Sequence, residues 1–329
     1  MEDTPISNSN LLLIILERLV GMVMFRKAQS LIWSLAIFGL FTTINHDASA
    51  EERNVSIKHD GLTVNAHLVT AEDSSLSDNA ILITHGTLGH NGMEVIKGAQ
   101  ATLADRGYNS LALTLNLGLD NRTGPYDCKT PHTHKHLDAL DEIGAWLDWL
   151  KTQGASKVTL MGHSRGGNQT AWFAAERLSD QIAKVVLLAP QTWDETLETN
   201  GYEKRYGVPL AQVLATAQGL VDVGKGQEMM EKIGFIYCPD SSAQAASFVS
   251  YYTPDQRMHT PNLISKIKVP VLVIAATEDQ VVKGLPEAMG PLVSSEEAQL
   301  VVIDGASHSF LDFYAEDVAD AVDEFLSTE

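Results

Sequence analysis

The chain has 329 residues, 44% of them hydrophobic and 20% charged, the make-up of an ordinary globular protein and not of a disordered or repetitive one. Its formal charge of −19, from 23 Lys and Arg against 42 Asp and Glu, would repel a phosphate backbone and argues against nucleic acid as a partner. Two cysteines are too few for a disulfide scaffold or a four-cysteine zinc site.

The first 50 residues stand apart. Arg26 and Lys27 precede residues 31–44, a mostly apolar run without charge, and Ala48-Ser49-Ala50 follows. A basic segment, an apolar run and a small-x-small ending have the layout of a secretory signal peptide, with the cut after Ala50. Residues 1–23 are surplus to that layout, which points to a true start at Met22 or Met24. The apolar run falls short of the roughly 20 residues that a membrane span needs. The expectation is an exported protein, periplasmic or secreted, with no membrane anchor after cleavage. In that oxidising setting Cys128 and Cys238 form either one disulfide or two buried thiols; their spacing does not choose.

After residue 50 strands and helices alternate. Residues 55–59 and 62–69 are β-rich runs around Asp60-Gly61, a hairpin signal. Residues 80–84 read as a strand ending in His85-Gly86. A helix is expected at 93–106, a strand at 110–116, and a helix at 136–151, where Leu140, Ile143, Leu147 and Leu150 recur at helical spacing. Strands follow at 157–161, 183–189, 269–275 and 299–303, with helices at 168–178 and 314–326. Apolar strands separated by helices indicate an α/β fold, its mostly parallel sheet covered on both faces and edged by the antiparallel hairpin. Residues 51–190 and 269–329 then make one core. Residues 191–268 break the alternation and read as an inserted helical cap, with helices at 210–221, 226–233 and 242–252. Most of its aromatics are expected to pack the cap's own core, and the rest to line a pocket.

Chemistry concentrates at Gly162-His163-Ser164-Arg165-Gly166-Gly167. This fits G-x-S-x-G between a strand and a helix, a sharp elbow that exposes the serine oxygen. The following helix aims its first N–H groups at the place where an oxyanion would develop. After strand 269–275 comes Ala276-Thr277-Glu278-Asp279-Gln280-Val281-Val282. After the last strand comes Asp304-Gly305-Ala306-Ser307-His308.

With these motifs the chain resembles the α/β-hydrolase superfamily over nearly all of residues 55–329. The resemblance implies a triad in the order Ser164, Asp279, His308, with Ala276 standing where the family's G-x-x-D pattern has glycine. His308 would take and return the Ser164 proton, and Asp279 would orient the imidazole. Glu278 and Asp194 remain alternative acids. The resemblance also implies oxyanion donors on the backbone of Thr87, in the turn His85-Gly86-Thr87-Leu88-Gly89-His90, and of Arg165. That turn is not the HGGG form of some lipases and esterases. A serine elbow argues against dehalogenase, epoxide hydrolase and dienelactone hydrolase chemistry, which use aspartate or cysteine there.

His132, His134 and His136 suggest a metal site only weakly, because no acidic or cysteine partner lies nearby; a solvated helix start is the expectation. No cofactor or metal is implied. The reading is an exported serine hydrolase acting on a small ester or related acyl substrate. Peptidase, amidase and thioesterase activities share the same triad. A non-catalytic binding protein of the same fold is the alternative from another class.

Overall fold

The computed structural model describes residues 50–328, apart from 78, 178 and 296. The expected signal segment therefore lies outside the described residues. In chain order the elements are β1 (Glu51–His59), β2 (Leu62–Thr70), β3 (Ala80–Thr84), α1 (Glu94–Ala104), β4 (Asn109–Thr114), α2 (Asp138–Thr152), β5 (Val158–His163), α3 (Arg165–Glu176) and β6 (Ile182–Leu188). Then come α4 (Glu195–Tyr206), α5 (Leu210–Asp222), β7 (Met229–Phe235), β8 (Cys238–Gln244), α6 (Ala245–Tyr252) and α7 (Pro261–Ile264). The chain continues with β9 (Val271–Ala276), α8 (Leu285–Ser294), β10 (Gln299–Ile303) and α9 (Phe313–Ser327).

One eight-stranded sheet has the order β1-β2-β4-β3-β5-β6-β9-β10. The β1–β2 and β2–β4 pairs are antiparallel and the remaining pairs parallel. The opening hairpin closes on His59 opposite Leu62. Asp60 and Gly61 both take positive φ, 47° and 80°, the pairing that matches the twist of a tight hairpin.

Alternate strand residues serve opposite faces. Leu82, Leu160, Val185 and Val273 pack with α2, α3 and α8. Their neighbours Ile81, Met161, Val186 and Ile274 pack with α1 and α9. Burial on both faces explains why these strands are continuously apolar. The carboxyl ends of β3, β5, β9 and β10 carry the candidate chemistry into the loops beyond them.

The segment between β6 and β9 departs from expectation. It is not all-helical: β7 and β8 form a two-stranded antiparallel sheet where helix was expected at 226–233 and at the start of 242–252. Helix α6 begins only at Ala245, and α4 adds a helix that the periodicity did not reveal. Long-range contacts override helix propensity here. Cys238 is disulfide-bonded to Cys128, 110 residues away. His132 donates its N–H to Ser242 O at 2.8 Å and accepts from Gln244 N at 2.9 Å, extending the hairpin. Phe235, Phe248, Tyr202 and Tyr252 form a separate apolar cluster beneath it.

Candidate active site

The elbow is built by one unusual backbone conformation and two close approaches. Ser164 sits at φ 57°, ψ −123°, a conformation that costs an L-residue on the order of 1–3 kcal/mol and persists where its surroundings impose it. A Cβ on Gly162 would come within 2.5 Å of the Gly166 carbonyl oxygen, and one on Gly166 would collide with the His85 carbonyl. Helix α3 starts directly at Arg165, not at residue 168 as the periodicity indicated. The Ser164 carbonyl accepts N–H bonds from Gly167 and from Gln191, at 3.0 and 2.9 Å, tying the elbow to the chain beyond β6. Ser164 itself is nearly covered, at 9% exposure.

Asp279 lies beyond β9 and His308 beyond β10, so adjacent parallel strands bring them together. His308 Nδ1 lies 2.7 Å from Asp279 Oδ2. The other carboxylate oxygen accepts the N–H groups of Val281 and Val282, at 2.7 and 2.8 Å. Burial pushes the Asp279 carboxyl up, but the His308 bond and these two N–H groups outweigh it and hold the pKa below its ordinary value. An ionised Asp279 accepting at Oδ2 calls for a proton on His308 Nδ1, which leaves Nε2 as the basic nitrogen. Asp194 is occupied elsewhere: it caps α4 by accepting from Leu197 N at 2.9 Å.

Thr87 and Arg165 stand side by side, with Arg165 Nε donating to Thr87 Oγ1 at 3.0 Å. As the first residue of α3, Arg165 has no N–H partner within its own helix. Both residues and Ser164 line a cleft of about 200 Å3. Trp193 and Tyr237 line it as well, Tyr202, Phe235 and Phe248 belong to the inner cluster, and Tyr251 and Tyr252 belong to both. The aromatics of the insertion thus divide between cleft and core.

Several supporting residues carry little sequence signal. His163, inside the elbow motif, donates from Nε2 to the His308 carbonyl at 2.9 Å, pinning the loop that presents His308. Burial lowers its pKa to about 4, so it stays neutral. Beneath the 85–90 turn, Arg122 Nη2 donates to Gly89 O at 2.7 Å, while Nε and Nη1 hold the carbonyls of Leu115 and Gly124. His85 Nε2 accepts from Leu115 N at 3.1 Å, and burial holds that histidine neutral, its pKa lowered to about 3. Nearby, buried Glu142 accepts the Asn116 N–H on both oxygens, its pKa pushed up to about 8 by burial. Only three-dimensional proximity links Arg122 and Glu142 to the turn.

The three spaced histidines are not a solvated helix start. His132, His134 and His136 are all buried. His132 Nδ1 lies 3.1 Å from His134 Nε2, and His134 Nδ1 lies 2.8 Å from the Tyr251 hydroxyl. His136 Nε2 meets Asn168 Oδ1 at 3.1 Å. Apolar and aromatic packing from the insertion displaces the water that an exposed turn would have had. Among the described residues no group of His, Cys, Asp and Glu side chains is arranged to hold a metal ion.

Comparison with known proteins bears on this geometry. The model of a family described as the alpha/beta hydrolase family matches residues 81–321. No curated protein matches the chain in sequence. Est1E from Butyrivibrio proteoclasticus, in a structure with bound ferulic acid, superposes with a TM-score of 0.58 at 22% identity, over 83% of this chain and 97% of its own. The esterase Pf2001 from Pyrococcus furiosus gives 0.57 at 18% identity, over 87% and 94%. A monoacylglycerol lipase from Paleococcus ferrophilus gives 0.53 at 17%, over 84% and 98%. At these identities the likeness is one of fold.

Proposed function

The chain belongs to the α/β-hydrolase family, and from that premise we propose that it is a serine carboxylic-ester hydrolase working through an acyl-enzyme on Ser164. One observation carries the reading: His308 holds the Asp279 carboxylate at 2.7 Å while the adjoining loop is bonded to the elbow that presents Ser164. In the proposed cycle Ser164 Oγ attacks the acyl carbonyl and passes its proton to His308 Nε2. The N–H groups of Thr87 and Arg165 donate hydrogen bonds to the developing oxyanion. His308 then protonates the leaving alcohol, and water repeats the sequence to release the acid. Asp279 stays ionised throughout and stabilises the imidazolium.

Fold neighbours named as esterases and as a monoacylglycerol lipase support an ester substrate over an amide. The disulfide between Cys128 and Cys238 supports export, since such bonds persist in oxidising compartments. A screen of acyl esters of graded chain length, alongside thioesters and aminoacyl amides, tests the proposal. Ester turnover that falls at least about 10⁴-fold in Ser164→Ala is the expected result. Turnover confined to thioesters or amides would reassign the leaving group. Failure of every substrate would favour a binding protein.

A further inference from the structure

The guanidinium of Arg165 has a use beyond its backbone N–H. It lines the cleft beside Ser164 and is held in a fixed orientation from three sides. Nε donates to Thr87 Oγ1 at 3.0 Å, Nη1 lies 3.4 Å from His136 Nδ1, and the Tyr251 ring lies under Cζ at 5.3 Å from the ring centre. Nη2 makes no hydrogen bond among the described residues.

All three supports are uncharged. His136 is kept neutral by burial, its pKa lowered to about 3, and its Nε2 faces Asn168 Oδ1, which leaves Nδ1 as an acceptor for Arg165. Arg106, Arg177 and Arg257 each pair with a carboxylate. Arg165 pairs with none among the described residues, and neither do Arg53, Arg122 and Arg205, but of these only Arg165 adjoins Ser164 in the cleft. A half-buried cation without a counter-ion is costly, and an incoming anion offsets that cost. The other charged residues of the cleft, Glu198 and Arg205, both come from α4 and cancel formally, so Arg165 sets the net charge of the lining.

We propose that Arg165 anchors a carboxylate borne by the substrate, so that the preferred esters are half-esters of dicarboxylic acids or esters of comparable charge. The proposal rests on the hydrolase reading and narrows its substrate class. No additional chemistry is required: the carboxylate is bound through Nη2 and unchanged, while the ester bond breaks at Ser164.

The test compares matched pairs: monoethyl esters of dicarboxylic acids of graded length, such as adipate, against the ethyl esters of fatty acids of equal length. The readout is the ratio of kcat/KM, charged over neutral. At the best length the wild-type protein should give a ratio of at least about ten, the worth of one charge-assisted hydrogen bond. That ratio should fall to about one or less in Arg165→Gln and recover in part in Arg165→Lys, which keeps the charge but loses the fork. Added salt should lower the rate of the charged ester alone. If Arg165→Gln lowers both esters equally, Arg165 is only a clamp on the Thr87 turn and the proposal is overturned. A wild-type ratio at or below one at every length overturns it as well, while hydrolysis of the neutral esters leaves the hydrolase reading intact. Failure of both ester series overturns both. Should Arg165→Gln not fold, the wild-type protein decides through adipate: competitive inhibition of neutral-ester hydrolysis supports the anchor, and its absence removes it.

Discussion

The parallel-sheet core and the segment inserted after β6 obey different rules. In the core, the central strands are apolar on both faces and the flanking helices amphipathic, so local pattern and tertiary position agree. The candidate site residues Ser164, Asp279 and His308 sit just beyond strand ends, where a strongly determined framework delivers them. In the insertion, secondary structure answers to distant partners: a disulfide to Cys128, a bridge to His132 and an aromatic cluster. The core can therefore hold the geometry of the candidate site to tight tolerance while the insertion shapes much of the cleft.

Substitutions at the two regions should separate these roles. The largest effect belongs to the core: Asp279→Asn should lower kcat about 10⁴-fold, because His308 would then hold the wrong tautomer, while the folded circular dichroism spectrum is retained. The same variant bears on acid stability. Asp279 has a depressed pKa, so its stabilisation is present above the unfolded value near 3.8 and is lost as pH falls through the folded value. Asp279→Asn should flatten that acid limb in urea titrations. For the insertion, Cys128→Ser with Cys238→Ser should cost about 4 kcal/mol in unfolding free energy, given the long loop the bond closes. Far less of the loss should fall on the Ser164 elbow, and hydrogen exchange should rise first in β7 and β8.

Arg122→Ala tests the frame under the 85–90 turn, the proposed source of an oxyanion donor. It strips the carbonyls of Leu115, Gly124 and Gly89 of buried donors, and a loss of about 3 kcal/mol is expected by chemical denaturation. Smaller still is the response to mild acid. His85, His136, His132 and His163 have folded pKa values lowered to about 3, 3, 4 and 4. The unfolded chain therefore binds protons first as pH drops below about 6.5, and stability declines from there toward pH 4. Glu142, its pKa pushed up to about 8, carries its proton in the folded state over the same range and offsets part of this loss, so unfolding free energy at pH 5 should remain at least about 2 kcal/mol below that at pH 7.

The sequence was legible where period and punctuation coincide. Asp60-Gly61, the AILIT strand and the apolar stripe of α2 each carry their own signal. The spacing of Ser164, Asp279 and His308 behind strands could be read because topology ties each to a strand end. Residues 226–244 could not be read this way. Met229, Met230, Glu231 and Lys232 suit a helix, and only pairing with β8 makes them a strand. The burial of His132, His134 and His136 was equally hidden, since Phe235 and Tyr251, which cover them together with Tyr126 and Trp172, lie about a hundred residues later. Arg122 reaches the turn through Gly89 and His163 reaches the His308 loop through one carbonyl, long-range hydrogen bonds that leave no periodic trace.

The central claim is that Ser164 is an activated nucleophile. The most direct measurement is mass mapping of the protein after exposure to a fluorophosphonate at neutral pH. The account predicts one phosphonyl adduct per chain, on the peptide containing Ser164, absent from Ser164→Ala and strongly slowed in Asp279→Asn. A folded protein that takes up no adduct, or takes it up equally in Ser164→Ala, would contradict it.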